Sequence, residues 1–127
     1  VYSYALKQTE NKLVICMENL IKEIAQDVLY GKNAGIISGG FHMTMVAVIV
    51  DLCSILRNKY GLKDVVLSGG VFQNRLLLEL SIKELEKNKF TVHFHSKVPA
   101  NDGGIALGQA AIALRKYING EINEGGN

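Results

Sequence analysis

The sequence has no tryptophan, one proline and two cysteines in 127 residues. Cys16 and Cys53 each lie within an apolar helical pattern, and no Cys-x-x-Cys occurs. Neither a disulfide framework nor a thiol redox motif is therefore expected, and both cysteines read as small buried hydrophobes in a reducing compartment. An excess of charge of one sign is also missing: 14 Lys and Arg stand against 12 Asp and Glu, a net of +2. The basic residues are scattered and never interleaved with aromatics, so no field is set up to steer nucleic acid or an anionic membrane. The longest apolar run, Met43 to Leu56, is too short to span a bilayer and is interrupted by Asp51. The opening residues VYSYALKQTE carry neither the basic nor the apolar region of a signal peptide. These absences predict a soluble cytoplasmic protein with no nucleic-acid or membrane partner.

What is present is a core-forming composition. The apolar fraction is 48%, led by Leu, Ile and Val, and a chain of this length can bury roughly two-thirds of its unfolded surface. Leu13, Met17, Leu20, Ile24 and Val28 recur at spacings of three and four, which predicts an amphipathic helix over 13–29 closed by Gly31. A second helix ends at Tyr60 with Gly61 as its cap. Its start is open, since Gly39 and Gly40 favour a beginning near Phe41 while Ile36 and Ile37 could form an earlier turn. Its apolar residues cover nearly the whole circumference from Val46 to Leu56, so burial on several sides is expected. A strand over 65–67, a helix over 75–88, a strand over 90–95 and a helix over 102–117 follow. The order α-α-β-α-β-α is an α/β pattern whose strand–helix–strand crossover implies a parallel pair. Two strands are too few for a self-sufficient sheet. The polar, Gly-rich residues 119–127 read as a flexible tail.

Two segments carry chemistry. VVLSGGVFQN, Val65 to Asn74, is a strand, a Ser-Gly-Gly turn and a helix start. Glycines there let backbone approach a phosphate or ribose closely, although a plain strand-to-helix turn would use the same residues. The similar IISGGFHM, Ile36 to Met43, lacks matching flanks and reads as coincidence. VPANDGGIALGQA, Val98 to Ala110, places Pro99 after the second strand and Asn101 or Asp102 at the N-cap of the last helix. Gly103, Gly104 and Gly108 each weaken a helix by roughly 1 kcal/mol relative to Ala, which suggests close approach of a ligand or backbone. The Asp102 carboxylate suits a hard divalent metal but needs further ligands. His93 and His95 share one strand face and read as polar surface residues in preference to a metal pair, and His42 as a hydrogen-bonded structural residue. No Ser/His/Asp or Cys/His spacing supports nucleophilic catalysis.

LSGGVFQNRLLL, followed some way on by VPANDGGIALGQAAIA and preceded by Gly40-Phe41-His42, resembles the C-terminal part of the hydrogenase-maturation carbamoyltransferases, the HypF family. Met43-Thr44 departs from the Asn-Thr usual in that family after Phe-His, and Gly39-Gly40 stands where bulkier residues are common. The resemblance implies a partial ribonuclease-H-like (actin-like) half, with a short parallel sheet covered by helices and the half's first three strands absent. Residues 1–118 would be a C-terminal piece of the carbamoyltransferase domain. It implies an enzyme that uses carbamoyl phosphate and ATP, through carbamoyl adenylate, to carbamoylate the C-terminal cysteine of a HypE-type acceptor for cyanide-ligand synthesis. Gly69, Gly70 and Asn74 would hold the nucleotide and Asp102 a divalent metal ion, with the metal's histidine ligands lying outside this chain. The partners would be the acceptor and the remainder of the chain's own polypeptide. Alone, the chain is expected to be inactive and to form a homodimer. The alternatives are a relative of the enzymes that add threonylcarbamoyl to tRNA adenosine, a kinase-like member of the superfamily, and a non-catalytic assembly module.

Overall fold

The computed structural model describes residues 1–10, 12–98 and 101–120. Pro99 and the tail from residue 121 onward lie outside the described residues.

The chain opens on a hairpin that the helical spacing of the sequence conceals. β1 (Ala5–Gln8) pairs antiparallel with β2 (Leu13–Cys16), Ala5 opposite Cys16 and Gln8 opposite Leu13. Thr9 closes the turn, its N–H and its hydroxyl donating to the Lys12 carbonyl at 2.8 and 3.1 Å. The helix expected from Leu13 therefore starts later, as α1 (Glu18–Leu29). Leu13, Val14 and Ile15 form a short, largely β-branched run, which favours a pleated strand once a partner satisfies its backbone. Gly31 follows α1 in the left-handed region, φ 70°.

α2 (Ala34–Tyr60) begins well before Phe41, capped by the Asn33 side chain, which accepts from the Gly35 N–H at 2.8 Å. Gly61 ends it at φ 73°. Gly39 and Gly40 thus lie inside a helix, and the IISGG repeat is helical where SGGVF is a turn, so the two copies are unrelated in structure. Gly40 has a packing reason. A Cβ there would come within 2.9 Å of the Tyr2 ring. That ring is pinned at both ends: the Tyr2 N–H donates to Thr44 Oγ1 at 2.7 Å and its hydroxyl to Asp27 at 2.8 Å. Thr44 Oγ1 in turn donates to the Gly40 carbonyl at 2.7 Å. With the ring unable to retreat, Gly40→Ala is expected to destabilise the fold by about 1–3 kcal/mol. Gly39→Ala, where a Cβ meets nothing within 4 Å, is expected to stabilise it by up to about 1 kcal/mol. Urea midpoints of the two variants, moving in opposite directions, check the pair. Nearby, Tyr4 donates to Asp51 at 2.6 Å, and burial, then that hydrogen bond and charge, push its pKa up to about 12.

β3 (Asp64–Leu67), α3 (Arg75–Lys87) and β4 (Thr91–Phe94) make the expected crossover, with β3 and β4 parallel and Val65 opposite Val92. Leu67, Leu85 and Phe90 form the buried centre, flanked by Ile49, Val50 and Cys53 of α2. Arg57 fastens α2 over this core. Its guanidinium lies 4.2 Å from the Phe90 ring centroid and donates to the Asn88 carbonyl at 2.7 Å. The hairpin and the β3–β4 pair are separate two-stranded sheets. The fold is a mixed α/β arrangement consistent with a partial actin-like half, with the hairpin added to the expected order.

Two helices are more open than expected. α2 buries only Thr44, Val46 and Val48 fully, because its main helical contacts are α1 and α3 and much of its remaining apolar surface, Ile49, Val50 and Cys53 included, is only partly covered. At 27 residues, with an 18-residue window of mean hydropathy 1.8, it is long and apolar enough to cross a membrane by length and composition. Its packing on α3 and the β3–β4 core is that of a globular helix. α4 (Ile105–Ile118) buries no side chain.

Candidate functional site

The carboxyl ends of two parallel strands are where open α/β sheets place ligands. Here β3 runs into Ser68 and then Gly69, whose backbone takes φ 104° and ψ 159°. This region of backbone space is essentially reserved for glycine. Gly70 has no such conformational demand. A Cβ on it would sit 3.9 Å from the Asn101 Cβ, an ordinary contact. The glycine that the geometry requires is therefore Gly69, and Gly70 is the one that faces the Asn-Asp-Gly-Gly segment. A 3-10 turn, Gly70–Gln73, separates the glycines from α3. The positive end of α3 is thus one short turn removed from them, not directly behind them.

Asn74 stands at that junction with both ends of its amide engaged. Its Oδ1 accepts from the Leu77 N–H at 3.1 Å as the cap of α3. Its Nδ2 lies 2.8 Å from His42 Nε2. His42 is half-buried on α2, and its Nδ1 lies 2.8 Å from the Ser38 carbonyl. An amide nitrogen carries two hydrogens, so one Nδ2 hydrogen remains for a ligand.

The second segment reaches the same place. Neither Asn101 nor Asp102 caps α4, whose N-cap is Gly104 with no side-chain bond; Asn101 caps the short 3-10 turn before it, its Oδ1 accepting from the Gly103 N–H at 3.0 Å. Asp102 opens the 3-10 turn Asp102–Gly104, exposed, with no hydrogen bond or ion pair to its carboxylate among the described residues. Gly108, expected to mark a close approach, meets nothing within 4 Å.

The remaining polar candidates are accounted for within the fold. His93 bonds to Asp64 at 2.8 Å across the strand pair, and His95, just past β4, to Ser68 Oγ at 2.9 Å. Among the described residues no three His, Cys, Asp or Glu side chains gather closely enough to hold a metal ion. Both cysteines are free and half-buried, and burial pushes the Cys53 thiol up, away from a reactive thiolate. The site has the form of one wall. Gly70, Asn74 and Asp102 are exposed and Gly69 is half-buried, while a groove of about 360 Å³ lies elsewhere, lined by Met43, Val46, Ala47 and Val50 of α2. Sequence reasoning singled out Asn74 and His42 separately and missed their contact, since nothing in a 32-residue separation announces it.

Comparison with known proteins gives a consistent assignment. The family described as "Carbamoyltransferase, Kae1-like Domain, second subdomain" matches residues 1–109. The chain is 34% identical over 119 residues to Carbamoyltransferase HypF of Synechocystis sp., covering 92% of this chain and 15% of that protein. It is 31% identical over 85 residues to the tRNA N6-adenosine threonylcarbamoyltransferase of Prochlorococcus marinus, covering 67% of this chain and 23% of that enzyme. A crystal structure of full-length HypF in the phosphate- and nucleotide-bound form superposes with a TM-score of 0.81 at 45% identity, covering 88% of this chain and 15% of that one. The chain thus spans about a seventh of the length of the HypF proteins it matches.

Proposed function

The chain belongs to the family of carbamoyltransferase Kae1-like domains, as their second subdomain, and from that premise we propose that it forms one wall of the nucleotide site in a HypF-type carbamoyltransferase. The observation that carries this reading is the meeting of the glycine turn and the Asn101–Asp102 loop. Segments some thirty residues apart come together at Gly70 and Asn101, at the carboxyl ends of parallel strands. The likeness to a nucleotide- and phosphate-bound HypF supports it.

In this reading the Gly69–Gly70 backbone lies against phosphate or ribose without a side chain between. Asn74 offers its second amide hydrogen to the nucleotide. Asp102 fits as one ligand of a divalent cation, since its carboxylate is exposed and has no partner among the described residues, and the other ligands come from outside these residues. Such a cation, when bound, neutralises charge on phosphate or carbamoyl oxygens. The complete polypeptide takes carbamoyl phosphate and ATP to carbamoyl adenylate, and transfers the carbamoyl group to the C-terminal cysteine of a HypE-type acceptor, for the cyanide ligand of a hydrogenase. The balanced charge and the free cysteines go with work in the cytoplasm, without nucleic acid or membrane.

A wall without its opposite does not turn over. The 127 residues alone are expected to show no carbamoyl-phosphate turnover and weak ATP affinity. They are also expected to sediment as a dimer of the 13.9 kDa chain, because among the described residues β3 has one edge without a strand and Val66 is 69% exposed. Calorimetry, a phosphate-release assay and sedimentation equilibrium at micromolar concentration measure these. Robust turnover by the short chain would end the shared-site reading, and a clean monomer would end the dimer.

Transfer of threonylcarbamoyl to tRNA adenosine is the second reading, favoured by the 31% identity to the Prochlorococcus enzyme. It ranks lower because the glycine turn continues Val71-Phe72-Gln73-Asn74, whereas those enzymes typically have Ala-Ala-Asn.

A further inference from the structure

We infer that His42 is a positioning residue for the nucleotide site: it fixes the amide of Asn74, and through it the junction between the glycine turn and α3. The inference rests on the reading of Gly69, Gly70 and Asn74 as a nucleotide wall.

The hydrogen-bond roles follow one from another. The Leu77 N–H, 3.1 Å from Asn74 Oδ1, can only donate, so that atom must be the oxygen. The nitrogen of the same amide then faces His42 Nε2 at 2.8 Å, and it too can only donate. Nε2 must accept, so it carries no proton. In a neutral imidazole the proton then lies on Nδ1, which sits 2.8 Å from the Ser38 carbonyl, an acceptor only. Each partner excludes the alternative for the next, and a single tautomer and a single amide orientation satisfy all three contacts. The chain of bonds runs from the backbone of α2, through the imidazole, to the first turn of α3.

The α2 end of this chain is itself held. Thr44 and Gly40 bracket His42 on α2, and Tyr2 bonds to the first and packs against the second. The Phe41 ring meets the imidazole edge-to-face at 6.0 Å between centroids. His42 therefore reaches Asn74 from a fixed base. With the imidazole in place, the remaining Nδ2 hydrogen of Asn74 has one direction, which is what a ligand contact needs. Without it, the amide keeps only its cap bond and can rotate about it.

The test uses the complete HypF-type polypeptide with ATP as the probe. His42→Ala is expected to weaken ATP binding by about tenfold, in proportion to one lost hydrogen bond to a ligand-contacting group. His42→Gln, whose Oε1 can accept from Asn74, is expected to restore affinity to within about threefold of the parent. Nitrogen-15 spectra of the parent should show His42 with a protonated Nδ1 and a bare Nε2, and Asn74→Ala should abolish that fixed pattern. ATP binding by His42→Ala equal to the parent overturns the inference, as does His42→Gln no better than His42→Ala, or a proton on Nε2 in the parent. A parent that binds no ATP at all overturns the nucleotide reading itself, and the two failures are thus told apart.

Discussion

Replacing Gly69 by valine in the complete polypeptide is expected to weaken ATP binding by at least about a hundredfold, while Gly70→Ala stays within a few-fold of the parent. The two glycines are neighbours, yet their backbones differ. Gly69 sits at φ 104°, ψ 159°, where a side chain is strained by about 1–3 kcal/mol. A turn that relaxes to avoid that strain moves the N–H groups it presents. A side chain on Gly69 would also point into open space, with no atom of the described residues within 4 Å, which in the proposed reading is where the nucleotide lies. Gly70 has neither difficulty, since its Cβ would meet Asn101 at an ordinary 3.9 Å. Calorimetric titration with ATP, alongside a urea melt of each variant, separates lost binding from lost folding. Equal ATP affinity in Gly69→Val and the parent reduces the turn to plain architecture.

Asp102→Ala is expected to remove carbamoyl transfer by more than about a hundredfold and to leave stability unchanged. Its carboxylate is exposed and makes no hydrogen bond or ion pair among the described residues, and the cap of the following turn belongs to Asn101. The fold therefore has little to lose. Charge stabilisation by a bound cation amounts to several kcal/mol in a transition state, and each 1.36 kcal/mol is a factor of ten in rate. Transfer to the acceptor's cysteine, bound-metal content and thermal midpoint should be measured on one preparation. A variant with full metal content and parental rate would falsify the ligand role. Asn101→Ala is the control: it removes a cap, so its effect should fall on stability first.

How far the sequence could be read depended on whether the signals were local. The stretch from Asp64 to Phe94 was legible because a short apolar run, two glycines and an amphipathic helix are adjacent and each demands one conformation. The hairpin was not. Leu13 and Met17 fall at helical spacing by accident, and what decides against a helix is β1, paired through a turn with no Asn-Gly or Asp-Gly to announce it. The start of α2 was hidden by Gly39 and Gly40, whose place in a helix makes sense only once Tyr2 is seen against Gly40. At the site, the residue types marked two loops that the fold brings together at Gly70 and Asn101. They could not say that Gly69 and not Gly70 carries the unusual backbone, that Asn101 caps a 3-10 turn while the last helix has no side-chain cap, or that His42 meets Asn74. These are facts of three-dimensional contact, and no spacing encodes them.

The bare last helix has a consequence for cooperativity. Helices of fewer than about 12–15 residues are marginal in water without tertiary contacts. α4 has 14 residues, two of them the cationic pair Arg115 and Lys116 in its final turn, and no buried side chain. With no side chain buried among the described residues, its helix–coil equilibrium is expected to couple only weakly to the unfolding of the β3–α3–β4 unit. Its amides should exchange with solvent hydrogen far faster than those around Leu85, which is fully buried. Docking against another surface would convert this local equilibrium into part of the global one. The same segment that begins at Asp102 would then report assembly as a change in exchange rate, with the rest of the fold unmoved.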